Sequence, residues 1–146
     1  MSRTTWTGPL ASGTLEAGVS GGSNIGLTTL SQTTTLGFDA TLVQSATFLL
    51  PANSQIIEFF FDVLTAYNSA TSATLSVGTA AAGTQYASGV NVKAATGRIA
   101  PTLTSAQLTN MANTSTNTSV VATVTSVGQP TAGATRVTVS YVQTGS

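Results

Sequence analysis

Four acidic and four basic side chains are the whole charge of this 146-residue chain. Two of the acids, Glu58 and Asp62, stand four residues apart in its most apolar run, LPANSQIIEFFFDVLTAYNSATSATLSVG. A close pair of carboxylates is the equipment of a glycoside hydrolase: one protonates the leaving oxygen and the other acts as base or nucleophile, about 5–9.5 Å away. On a helix, residues four apart are about 6 Å apart. On an extended strand they are about 13 Å apart. Hydrolytic chemistry here therefore depends on the run being helical. The chain has no histidine and no cysteine, so imidazole bases, thiolate nucleophiles, thiolate metal sites and disulfides are excluded.

The other chemistry-bearing residues are scattered. Asp39 follows Phe38 and reads as edge or turn chemistry. The segment GTAAAG has neither the spacing nor the lysine of a phosphate loop. Asn113 and Asn117 each begin an Asn-Thr-Ser glycosylation pattern, which a chain rich in Thr and Ser produces by chance. Lys93 and Arg98 are the only basic pair close in sequence, and read either as solvated loop charges or as a contact for an acidic partner. Tyr67, Tyr86 and Tyr141, if exposed, are candidates for stacking on a sugar. Metal-ligating side chains do not cluster, so no catalytic residue, cofactor or metal is assigned.

The elements that must position these residues are strands. QIIEFFFDVLTAY has helical spacing at Ile56, Phe60, Val63 and Leu64, but its β-branched and aromatic content favours a strand. Period two then places Ile57, Phe59, Phe61 and Val63 on an apolar face and Ile56, Glu58, Phe60, Asp62 and Leu64 on a mixed one. This reading makes Glu58 and Asp62 outward acids too far apart for a hydrolase, which interrupt an aggregation-prone run. Before it, TTTLGFDATLVQSATFLLP alternates from Leu36 to Leu42 and ends at a Pro51–Ser54 turn. After it come SATLSVG, closed by Gly78, and a long Ala/Gly-rich excursion over 79–97 with a short strand near Gly89–Lys93. TSAQLTNMAN, preceded by Pro101, is the one stretch that reads as a helical turn or exposed loop. SVVATVTSVG and TRVTVSYVQ alternate cleanly about Gln129–Gly133, which predicts an antiparallel hairpin. The body over 33–146 is thus expected to be an all-β, single-domain antiparallel sandwich, jelly-roll-like.

Residues 1–32 differ in texture. Six glycines and Pro9 punctuate them, Ser20–Ser23 reads as a joint, and Trp6, Leu10 and Leu15 are isolated apolar anchors. They are expected to form a flexible N-terminal arm that pins onto a neighbour. Charged residues are only 5% of the chain, against about a quarter in average proteins. The surface must be built from Thr, Ser, Asn, Gln, Gly and Ala, which lose less rotamer entropy when ordered against a partner. A net charge of zero removes repulsion against association and argues against nucleic acid. No apolar run reaches membrane-spanning length, and MSRTTWTGPL lacks the apolar stretch of a secretion signal, so the expectation is a chain made in a cytoplasm.

The opening RTTWTGPLASGT, the succession LPANSQIIEFFFDVLTAYNSATSATLSVGT and YASGVNVKAATGR, and the final TRVTVSYVQ resemble small structural proteins of tailed bacteriophages, most of all capsid decoration (cement) proteins. The resemblance implies a non-enzymatic virion protein on the capsid surface, bound to the major capsid protein and to itself as a homotrimer or dimer. The interface residues expected on the two readings together are Trp6, Leu10, Leu15, Lys93 and Arg98. Three alternatives stay open: a head- or tail-fibre module that binds a carbohydrate or receptor, another head–tail component such as a tube protein, and a hydrolase using Glu58 and Asp62.

Overall fold

The computed structural model describes residues 11–12, 26–112 and 114–143. A two-residue pairing comes first, β1 (Ala11–Ser12) with β2 (Gly26–Leu27). Eight strands then build the body: β3 (Thr29–Gly37), β4 (Val43–Leu50), β5 (Ser54–Thr65), β6 (Ser72–Gly78), β7 (Ala87–Asn91), β8 (Gly97–Ile99), β9 (Thr118–Val127) and β10 (Ala134–Gln143). One short helix, α1 (Ser105–Asn110), precedes β9. The strands form two antiparallel four-stranded sheets, ordered β3-β10-β5-β8 and β4-β9-β6-β7. Between β3 and β10, only the β6–β7 connection stays within one sheet; every other connection crosses to the opposite sheet. This is the jelly-roll arrangement expected from the strand pattern. Trp6, Leu10 and Leu15 lie outside the described residues or side chains. β3 begins at Thr29, so residues 29–32, grouped with the arm on composition, are part of the sheet.

Three local readings are corrected. The alternation over 36–42 does not continue as one strand. It breaks into a corner at Phe38–Leu42, where the chain leaves one sheet for the other, and Phe38 and Leu42 are about half exposed. β5 is a strand, but its phase slips near Ile57: Ser140 pairs with Glu58 while Tyr141 pairs with Ile56. This bulge turns Ile56 into the core and Ile57 to solvent. From Phe59 onward the expected faces hold, with Phe59, Phe61 and Val63 buried. Finally, β9 and β10 do not form a hairpin. Each is a central strand of its own sheet, β9 between β4 and β6, β10 between β3 and β5. Gly and Pro at 128–133 serve an arch between sheets as well as a hairpin turn, so local composition does not separate the two.

The core lies between the sheets. Leu36, Phe48, Leu50, Phe59, Phe61, Val63, Leu75, Val77, Val120, Val124, Val137 and Val139 meet there, with Phe59 packed on Phe61 and Tyr86 at ring-centroid distances of 6.3 and 5.9 Å. The outer face of the β9 sheet is covered in part by the loop after β6. Gly78 and Gly83 approach so closely that a Cβ on Gly78 would lie 2.5 Å from the Gly83 backbone. Ala82 N donates to Thr123 Oγ1 at 2.9 Å, which buries Thr123 on a face that alternation alone would leave open. α1 is started by a capping box, Thr104 with Gln107, and Gln107 Nε2 donates to Thr84 O at 3.1 Å, fastening the helix to the same loop.

Three crossing loops are tied together at one end of the sandwich. Tyr67, buried at the end of the β5–β6 corner, donates its hydroxyl to Leu36 O at 2.9 Å. Asn68 Oδ1 accepts from Thr131 N (2.8 Å) and Ala132 N (3.0 Å), and its Nδ2 donates to Thr131 Oγ1 (2.8 Å). Gly133, at φ +154°, lies against Tyr67; a Cβ there would meet the ring at 2.4 Å. The Phe38–Leu42 corner joins the group through Phe38 N to Gly133 O (2.9 Å), Gln129 Nε2 to Ala40 O (2.9 Å) and Ser126 N to Leu42 O (2.7 Å).

Asn68→Ala and Gly133→Ala should each lower stability by about 2 kcal/mol, roughly 4–8 °C in Tm by calorimetry, because three hydrogen bonds or one tight contact are lost. Unchanged melting would show that the loops are not coupled. Burial pushes the Tyr67 phenol up from 10.0 to about 12. A folded value above the unfolded one means a contribution fully present below about pH 10 and lost as pH rises through about 12. Tyr67→Phe should flatten this alkaline loss in a pH–denaturation series; an identical alkaline limb would contradict it.

Candidate functional site

The outer face of the β3-β10-β5-β8 sheet gathers the chain's charge. Its strands present Thr33 and Thr35 from β3, Arg136 and Thr138 from β10, Glu58, Phe60 and Asp62 from β5, and Arg98 from β8, in register as Thr35–Arg136–Asp62–Arg98 across the sheet. Six described residues are charged, namely Asp39, Glu58, Asp62, Lys93, Arg98 and Arg136, and four of them stand on this face. Alternation from Phe59 explains the placement: each acid is one residue from a buried side chain, so it must point outward.

Asp62 is the centre of the group. Arg98 Nε donates to Asp62 Oδ1 at 3.0 Å, and Arg136 Nη2 to Oδ2 at 3.5 Å. Its side chain is only 16% exposed, whereas Arg98 and Arg136 are 62% and 48% exposed. The Arg98 guanidinium also lies 4.7 Å from the centroid of the Phe60 ring, covering its outer face. The hydrogen bond from Arg98, with the charges of both arginines, holds the Asp62 carboxyl below its usual value of 3.8. Asp62 is therefore a saturated anion, with both oxygens engaged by cations. A general acid needs the opposite setting, one that favours its proton.

Glu58 lies on the same strand face, paired with Ser140, with no charged partner among the described residues. The run is a strand, so the two carboxylates have the extended spacing that the hydrolase alternative cannot use. Arg98 departs from the solvated-loop reading: it is a strand residue bound to its own chain. Lys93 follows β7, and among the described residues its backbone alone is engaged, N–H to Asn91 Oδ1 at 2.9 Å. The three tyrosines are buried, so none offers a face to a sugar. Asn117 Oδ1 accepts from Ala52 N at 2.9 Å, and Asn113 lies outside the described residues. Among the described residues, no group of three or more His, Cys, Asp or Glu side chains is placed to hold a metal.

A second feature is missing from the sequence reading. Two edge strands lie side by side on one flank, β3 of nine residues and β4 of eight, and neither contains a charge or a proline. Long edges are normally protected by such residues. The opposite flank ends in β7 and β8, of five and three residues, the latter bearing Arg98. Phe38, Leu42, Val43 and Leu49, each between 46% and 59% exposed, continue the apolar character along the β4 flank. The sequence reading ran one alternating stretch through the corner and left 29–32 to the arm; it carried no information on which strand would lie at an edge.

Asp62→Asn should leave Arg98 and Arg136 unneutralised and remove the acid-side dependence of the group. A depressed folded pKa gives a contribution present above about pH 3.8 and lost as pH falls through the lowered value. The variant should therefore show a flatter acid limb than the wild type, with the difference shrinking at about 1 M salt because the arginines are exposed. Identical acid limbs would mean the ion group adds nothing to folding.

No family model, curated protein or solved structure matches this chain.

Proposed function

We propose that this protein is a structural component of a bacteriophage particle, a capsid decoration protein that acts through contacts with copies of itself and with the major capsid protein. The observation that carries the reading is the pair of long, uncharged, proline-free edge strands on one flank. A monomer living freely in solution has reason to guard such edges. A subunit held in a lattice does not, since a neighbour covers them. The sequence resemblance to decoration proteins points the same way, and so does a surface whose arginines are largely occupied by their own aspartate. Jelly rolls occur in capsid proteins, and also in lectins and cupins, so the fold supports the reading without selecting it.

The physical logic is additive. Many modest interfaces, each with little side-chain entropy to lose, release a subunit only when several break together. A decoration protein at two-fold or three-fold positions on a head would be a dimer or trimer, whereas a tube protein would form larger rings.

Ser31 on β3 and Leu49 on β4 are exposed, and among the described residues neither side chain has a hydrogen-bond partner or belongs to the core. The double variant Ser31→Lys/Leu49→Lys installs the missing edge charges. Light scattering coupled to size exclusion should find the wild type as a trimer or dimer and the variant as a monomer with unchanged circular dichroism. A wild type that stays monomeric at all concentrations, together with purified particles lacking density for this chain on the head, would overturn the proposal.

A further inference from the structure

The Phe38–Leu42 corner is firmly held, yet its side chains do no packing. Its backbone is tied at three points: Phe38 N to Gly133 O, Gln129 Nε2 to Ala40 O, and Ser126 N to Leu42 O, at 2.9, 2.9 and 2.7 Å. Asp39 adds a fourth constraint, its Oδ1 accepting from Thr41 N within the corner. Despite this rigidity the Phe38 ring is 47% exposed. The corner walls an open groove of about 470 Å³ between the end of β3 and the start of β4. That volume falls in the range of small-molecule sites. Thr35, Phe38, Asp39, Thr41, Gln44 and Ser45 are among its lining residues.

The chemistry of that lining is selective. Phe38 offers an apolar ring face. Asp39 offers a carboxylate oxygen: Oδ1 is used by Thr41 and Oδ2 has no partner among the described residues. The same hydrogen bond lowers the Asp39 pKa, so the group is an anion at neutral pH. Gln44, half-buried, has an amide that makes no hydrogen bond within the described residues. Among the described residues no cation lines the groove, so an anionic ligand finds no counter-charge from them. A simple ammonium ligand would suit Asp39 but leave the Gln44 carboxamide donors without an acceptor. A neutral sugar satisfies every part. Its C–H face stacks on the ring, two hydroxyls donate to the carboxylate, and its oxygens accept from Gln44 and Thr35. The corner's hydrogen bonds fix the backbone that carries Phe38 and Asp39, so binding need order only their side chains.

We infer that this groove binds a neutral hexopyranose unit, with Phe38 as stacking platform and Asp39 and Gln44 as its polar contacts. The groove lies at the loop end of β3 and β4, on the same flank whose length carries the decoration reading, but it is argued from its own lining. Failure to bind a sugar leaves the decoration reading standing.

The test is titration of the isotopically labelled protein with D-glucose, D-galactose, N-acetylglucosamine and D-glucuronate, read by amide chemical shifts. At least one neutral sugar should give saturable shifts confined to residues 35–46, with millimolar affinity. Glucuronate should bind more weakly than glucose because its carboxylate meets Asp39. Phe38→Ala should weaken the best sugar about tenfold, the loss expected for one stacking contact. Asp39→Asn and Gln44→Ala should weaken it several-fold, and Lys93→Ala should leave it unchanged. All four altered side chains lie outside the buried core. No saturable shift with any neutral sugar up to about 50 mM, where binding is weaker than about −2 kcal/mol, would overturn the proposal. Shifts centred elsewhere, or unchanged affinity in Phe38→Ala, would also do so.

Discussion

The crossing of consecutive strands between the two sheets is the constraint on which the rest depends. A chain that repeatedly changes sheets needs its crossing loops held, because each one ends hydrogen-bonded structure on one layer and starts it on the other. Here the loops after β3, β5 and β9 hold one another. Tyr67 is packed under Gly133 and bonded to Leu36 O, and Asn68 satisfies two backbone N–H groups of the β9–β10 arch. With that arch in place, β9 and β10 become central strands, and β3 and β4 are left as neighbouring edges. The same group of loops fixes the corner that displays Phe38 and Asp39. Fold, open flank and groove thus share one structural cause.

Much of the fold was legible because strand periodicity is local. The strands over Ser54–Thr65, Ser72–Gly78, Thr118–Val127 and Ala134–Gln143 all carry β-branched or aromatic alternation. TSAQLTNMAN read as a helical turn or an exposed loop, and its Thr104/Gln107 capping box makes it the helix α1. Pairing was less legible. Gln129–Gly133 has the residues of a tight turn, and nothing local says whether the following strand folds back beside β9 or across from it. The bulge at Ile57 was hidden for a related reason, since Ile56 and Ile57 are both apolar and either phase buries an isoleucine.

The surface shows the same division. Glu58 and Asp62 were readable as outward-facing acids once the run was taken as a strand. The partners of Asp62 were not, because Arg98 and Arg136 come from strands 36 and 74 residues away in sequence. Arg98 therefore serves two groups of its own chain, the Asp62 carboxylate and the Phe60 ring. The groove was equally hidden: Phe38 and Asp39 fitted a strand pattern, and only the corner separates them from it. What the sequence did convey was the absence of charge along Thr29–Gly37 and Val43–Leu50, whose meaning appears once both are placed at an open edge.

In the proposed assembly, β3 and β4, which no other described strand covers at their outer edges, become covered by neighbours. Hydrogen–deuterium exchange of peptides spanning Thr29–Gly37 and Val43–Leu50 tests it most directly, comparing the assembled wild type with a monomeric edge variant. Exchange at both edges should be markedly slower in the assembly, while peptides from the central strands β9 and β10 exchange alike in both. Equal exchange at β3 and β4 in a wild type that is nevertheless multimeric would contradict the claim, because the copies would then be meeting through some other surface.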